Sequence, residues 1–200
     1  MAVRRILYLG ETVLRQQAEP VQEIDDAVVA LAQDMIDTML DAEGLGLSAP
    51  QVGESRRLIV VRTKDPEDEE KGHGILVLLN PEIVATSNEQ EVATEGCLSL
   101  PTLQGRVPRH VGVEVRAINL TGHELIVQAE GIIARALQHE IDHLNGTLFI
   151  DRALPDSLVW LVPDEDEEDG YREEPTTIEE VVQRFDRLLH KRLAQADPSA

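Results

Sequence analysis

Residues 131–143 read Gly-Ile-Ile-Ala-Arg-Ala-Leu-Gln-His-Glu-Ile-Asp-His and close on the pentad His139-Glu140-Ile141-Asp142-His143. Histidines at i and i+4 of an α-helix lie about 40° apart around the axis, so both imidazoles reach one point in space. Two imidazoles at one point can hold a divalent metal, and a glutamate between them is placed to handle the proton of a metal-activated water. The pentad therefore points to hydrolysis. Ile132, Ala136, His139 and His143 fall on one helical stripe, which predicts that the pentad faces the core side of its helix. Two histidines and a carboxylate on such a face need partners, and a metal supplies one.

A catalytic zinc-type site takes three protein ligands and keeps one position open. Downstream of the pentad neither Asp151 nor His190 has a suitable spacing, and His73, His110 and His123 sit in no comparable constellation. Upstream, the only cysteine of the chain lies in Glu95-Gly96-Cys97-Leu98-Ser99-Leu100-Pro101. A lone thiol forms no internal disulfide and often serves as a small core residue. Gly96 directly before Cys97 lets backbone approach closely, and a metal would stabilise the thiolate. On the residues alone, packing and ligation both remain open.

A third segment reads Gly44-Leu45-Gly46-Leu47-Ser48-Ala49-Pro50-Gln51. Its glycines suit a loop run against another backbone. No Gly-Lys-Ser/Thr ending follows and no strand signal precedes it, so phosphate binding is disfavoured. The side-chain amide of Gln51 is a candidate donor to a developing oxyanion.

In this order the three segments resemble the motifs of the peptide deformylase family, a GhGhAAxQ loop, an EGCLS segment and a QHExDHLxG helix. Here they run Gly44 to Gln51, Glu95 to Ser99 and Gln138 to Gly146, with Ser48 in place of the usual first alanine. Val13-Leu14-Arg15 with Pro20-Val21, Val107-Pro108-Arg109 and Leu148-Phe149-Ile150-Asp151 are similar to the family too, so the resemblance covers roughly residues 5–155. It implies that Cys97, His139 and His143 hold the metal and that Glu140 is the general acid and base. It also implies that Gln51 and the backbone N–H of Leu98 stabilise the oxyanion. Leu45, Gly46 and Gly96 would pair with the substrate peptide, and Ile132 and Ala136, with Leu45, would line the methionine pocket. The implied reaction removes the N-formyl group from the initiator methionine of nascent polypeptides and releases formate. The family's metal is usually ferrous iron, with zinc, nickel or cobalt able to substitute, and ligand type does not choose among them.

Composition sets the outer limits. The chain has 200 residues, a net charge of −20, and only 2% aromatic residues, so one domain with an aliphatic core is expected. No leader and no apolar run of membrane-spanning length is read, and one cysteine suits a reducing cytoplasm. The charge is concentrated: residues 65–71 carry five acids and one lysine, and residues 164–174 carry eight acids and one arginine. Such blocks are usually solvated loops. No basic patch points to DNA.

Helices are expected at 24–41, from about residue 130 through the pentad, and at 178–193. Strands are expected at 57–62, 75–80, 111–118 and 124–128, with a hairpin turn at Thr121-Gly122. Without regular βαβ alternation this is an α+β chain, with antiparallel sheets around the pentad helix and an amphipathic C-terminal helix. Residues 1–158 are expected as the catalytic unit, 159–177 as an acidic loop or linker and 178–195 as a C-terminal helix of the same domain. The partners implied are nascent formyl-Met peptides and the ribosome. In some family members a basic C-terminal helix aids ribosome docking. Here Arg184, Arg187, Lys191 and Arg192 are nearly balanced by Glu179, Glu180 and Asp186, and the acidic run at 164–174 precedes them. That balance predicts a helix that packs its Val181, Phe185, Leu188 and Leu189 face. An endopeptidase with the same pentad would leave Cys97 and Gln51 without a role. A non-catalytic peptide-binding relative would have no use for Glu140.

Overall fold

The computed structural model describes residues 2–63, 74–167 and 170–196, so the acidic run at 65–71 and His73 lie outside the described residues. The architecture is α+β. A five-stranded antiparallel sheet has the order β1-β2-β3-β6-β7, with β1 Gly46–Ser48, β2 Leu58–Arg62, β3 Ile75–Thr86, β6 Gly112–Ile118 and β7 Glu124–Glu130. A four-stranded antiparallel sheet has the order β4-β5-β8-β9, with β4 Gln90–Cys97, β5 Leu100–His110, β8 Val159–Pro163 and β9 Tyr171–Pro175. The helices are α1 Asp26–Asp41, α2 Gly131–Leu144 and α3 Ile178–Ala196.

Helices cover both faces of the first sheet, which explains the continuous apolar run of β2. Leu58 and Val60 turn toward α1 and pack with Val28, Leu31, Met35 and Met39. Ile59 and Val61 turn toward α2 and pack with Ala134, Leu137, Ile141 and Leu144. Alternate residues of a strand point to opposite faces, so a strand covered on both sides must be apolar throughout. Asp25 caps α1 by accepting from the Val28 N–H at 2.8 Å. Gly146 ends the pentad helix at φ +71°, and a Cβ there would sit 2.7 Å from the Arg15 carbonyl, so only glycine lets the N-terminal segment lie against the helix end.

Four expectations change. The segment 159–177 is not a bare loop: β8 and β9 pair with each other, and β8 pairs with β5 at Leu103↔Trp160 and Gln104↔Val159. Strands β4 and β5 were not expected, because β4 is largely polar and exposed and β5 contains Pro101, Gly105 and Pro108. Those breakers are tolerated because β8 joins β5 only near Leu103 and Gln104, leaving the far half with a single neighbour. Finally, Ile132 is not on a buried stripe; it is 53% exposed, at the first turn of α2. In α3, Val181 and Phe185 are buried while Leu188 is 43% exposed, so the packed face excludes Leu188. Among the described residues no helix is long and apolar enough to cross a membrane.

Candidate active site

Helix α2 lies between two unlike surfaces. Its apolar side meets the five-stranded sheet, and its polar side, Arg135, His139 and Asp142, meets the β4–β5 hairpin. Glu95 on β4 is the centre of that second contact. Its carboxylate accepts from Arg109 Nε at 2.9 Å and Nη2 at 3.0 Å, from Arg135 Nη1 at 2.7 Å, and from His139 Nδ1 at 3.0 Å. Asp142, inside the pentad, accepts from Arg109 and Arg152. Burial alone would push the Glu95 carboxyl up, but the His139 hydrogen bond and the Arg109 guanidinium outweigh it and hold the group at about 2.

This network orients the first imidazole. A carboxylate only accepts, so His139 donates through Nδ1 and presents Nε2 to the cavity. Burial would lower His139, yet its hydrogen bonds to Cys97 and Glu95 hold it well above the ordinary range. His143 is held well below that range, first by burial and then by the charge on His139. Cys97 ends β4 at a register shift opposite Leu100, which turns its sulfur toward the helix. Its Sγ lies 3.3 Å from His143 Nε2 and receives the Ser99 N–H at 3.4 Å and Gln51 Nε2 at 3.6 Å. Ligand atoms of Cys97, His139 and His143 all fall within 4.8 Å of one another.

Glu140 completes the centre. Its Oε2 is buried without a hydrogen-bond partner, as is His143 Nδ1. Burial pushes the Glu140 carboxyl up to about 7. Gly46 makes room for it: a Cβ at that position would meet Glu140 Oε1 at 2.6 Å. Gln51 sits in a one-turn helix at Ala49–Val52 and its orientation is fixed at the acceptor end. Its Oε1 accepts from the Ser48 N–H and the Ser48 hydroxyl, both at 2.8 Å, which leaves the amide N–H groups facing Cys97 and Ser99.

A cavity of about 550 Å³ opens over these groups. Leu45, Gly46, Gln51, Gly96, Cys97, Leu98, Ile132, Ala136, His139 and Glu140 all line it, and His143 lies beneath, against the cysteine sulfur. All the site residues expected from the sequence thus meet at one place. Ile132 reaches the cavity from an exposed position rather than from the core. The sequence reading assigned no role to Ser48, Ser99, Glu95, Arg109 or Arg135. Glu95 and Arg109 stood inside quoted segments, but nothing in local spacing says that residues so far apart in sequence share a buried charge network. His110, His123 and His190 hydrogen-bond to Ser87, Thr121 and Asp186, away from this centre.

A thiol and two imidazoles with a buried carboxylate beside them define a metal-dependent hydrolase. The family profile described as polypeptide deformylase matches residues 3–157. A peptide deformylase of Natranaerobius thermophilus is 54% identical over 153 residues, covering 76% of this chain and 94% of that protein. One from Thermomicrobium roseum is 49% identical over 169 residues, covering 84% of this chain and 96% of that protein. The crystal structure of a peptide deformylase from Synechococcus elongatus in complex with actinonin superimposes with a TM-score of 0.70 at 44% identity, covering 75% of this chain and 80% of that one. The chain belongs to the polypeptide deformylase family.

Proposed function

We infer that this hydrolase removes the N-formyl group from the initiator methionine of nascent polypeptides and releases formate. The observation that carries the reading is the unpartnered, buried Oε2 of Glu140 beside three ligand atoms within 4.8 Å of one another. The donor set fits one divalent cation, and orphaned polar atoms at Glu140 and His143 fit a centre built for bound species. Cys97 Sγ, His139 Nε2 and His143 Nε2 would hold that cation, which when bound supplies Lewis-acid activation of water and of the formyl oxygen. Ferrous iron is the metal we propose, on the family resemblance, with zinc, nickel or cobalt as substitutes.

The chain's own residues do the rest. Glu140 accepts a proton from the attacking water and delivers it to the departing amine nitrogen as the formyl C–N bond breaks. Gln51 Nε2 and the Leu98 N–H donate to the oxyanion. Ser48 holds the Gln51 carboxamide so that the donating end faces the reacting centre. Both β1 and β4 are edge strands of their sheets and both border the cavity. The open edges at Gly46 and Gly96, with Leu45 just before β1, suit pairing with an extended peptide. Ile132, Ala136 and Leu45 line the pocket for the methionine side chain. The endopeptidase reading gives Cys97 and Gln51 nothing to do. The compartment proposed is the cytoplasm, where nascent formylated chains emerge. Formate release from a formyl-Met peptide, on protein purified without oxygen and compared with casein digestion, tests the function.

A further inference from the structure

The two oxyanion donors, Gln51 Nε2 and the Leu98 N–H, stand on separate segments: the one-turn helix after β1 and the turn between β4 and β5. Ser48 fixes the side chain of Gln51, but the separation of the two donors depends on their main chains. The N-terminal segment joins those main chains. The Leu7 N–H donates to the Gln51 carbonyl at 2.8 Å, and the Leu9 N–H donates to the Ser99 carbonyl, next to Leu98, at 3.1 Å. Residues 7–9 therefore form a strap across both donor segments.

The strap is itself held by α3, which lies beyond the residues matched by the family profile. Phe185, Leu189 and Arg192 stand at i, i+4 and i+7 and share one stripe of that helix. Phe185 meets the Tyr8 ring edge-on at 6.3 Å, and Arg192 lies 4.4 Å over the same ring. Leu189 packs at Gly10, where φ is +107° and a Cβ would come within 3.2 Å of the leucine Cδ2. Glycine thus allows both the turn and the close approach of the helix. Leu9 shares a buried core with Val181 and Phe185. We propose that the Phe185–Leu189–Arg192 stripe is a positioning element for catalysis, which holds residues 7–10 in place and through them sets the separation of the Gln51 and Leu98 donors. The three side chains do not line the cavity, so they act only through the strap. The proposal rests on the deformylase reading.

The test measures kcat and KM per bound metal for formyl-Met-Ala-Ser in wild type, Leu189→Ala, Leu189→Met and Leu189→Ala combined with Gln51→Ala. Leu189→Ala should lower kcat about three- to tenfold and leave KM within about twofold, because a slightly displaced donor is missed in the transition state and not in the ground state. Leu189→Met conserves volume and should retain kcat. In the Gln51→Ala background the Leu189→Ala effect should shrink to less than about twofold, whereas a mere loss of folded protein would persist there. Should Leu189→Ala fail to fold, Arg192→Ala carries the same comparison on an exposed side chain, with an expected loss in kcat of about two- to threefold. An unchanged kcat, an equal loss in Leu189→Met, or a loss of full size without Gln51 would overturn the positioning role and leave the activity standing. No formate from wild type would overturn the deformylase reading as well.

Discussion

The interface between α2 and the β4–β5 hairpin and the unit formed by β8, β9 and α3 are built on different physics. The first buries charge: Glu95, Arg109, Arg135 and Asp142 are nearly inaccessible and satisfy one another. The second is a thin layer in which β9 is exposed along its length and α3 holds on through Val181, Phe185 and two arginine–ring contacts. A desolvated charge network has one acceptable arrangement, so it can hold an imidazole in a single orientation. A layer of aromatic and cation contacts can be altered in small steps. The chemistry is mounted on the rigid region and borders the adjustable one.

Removing one charge from the interior should have the largest effect on stability. Glu95→Gln leaves Arg135 without a carboxylate partner and Arg109 with Asp142 alone, and should cost about 3–5 kcal/mol in denaturant unfolding. It also supplies the pH signature. Burial raises the Glu95 carboxyl but its hydrogen bonds to His139 and Arg109 win, taking it from 4.5 to about 2. A depressed carboxyl stabilises above its unfolded value and loses that contribution as pH falls toward the folded one. Wild-type stability should therefore fall as pH drops from about 4.5 through about 2, and Glu95→Gln should fall less there. Parallel curves would remove Glu95 from the account.

The next two effects are kinetic. Gln51→Ala should lower kcat by about 10²–10³, the usual cost of one oxyanion donor. Ser48→Ala should lower kcat by about two- to tenfold, since it removes one of two hydrogen bonds fixing the Gln51 amide and leaves the backbone one. In a Gln51→Ala background the Ser48 effect should vanish. If it persists, Ser48 acts elsewhere. On the outer layer, Arg192→Ala should cost about 0.5–1 kcal/mol, the value of an exposed cation–π contact. A loss as large as that of Glu95→Gln would erase the distinction between the two regions.

These regions also differ in how far the sequence discloses them. The pentad helix and the strands at 57–62, 75–80, 111–118 and 124–128 carry their periodicity in contiguous residues. Each is present, with boundaries shifted by a few residues and 75–80 extended to Thr86. Cys97, Gln51 and Glu140 could be singled out as candidates because each stands in a segment with a motif of its own, and the three line one cavity. The Glu95–Arg109–Arg135 network was not, because it joins β4, β5 and α2 and nothing in the period of any one element reports the others. Strand β5 hid behind its prolines and glycine, and β8–β9 behind an acidic composition that resembles a solvated loop. Leu188 follows the helical period of its neighbours yet faces solvent, because α3 rests on a narrow strip of Leu9, Trp160 and its surroundings.

Glu140→Gln gives the most direct test of the central claim, that Cys97, His139 and His143 hold a metal for which Glu140 moves the proton. The measurement is single-turnover formate release from a formyl-Met peptide under anaerobic conditions, with metal content determined on the same samples. The variant should bind metal to the wild-type stoichiometry and lose formate release by at least about 10². Near-normal turnover in a fully loaded Glu140→Gln enzyme would contradict the account.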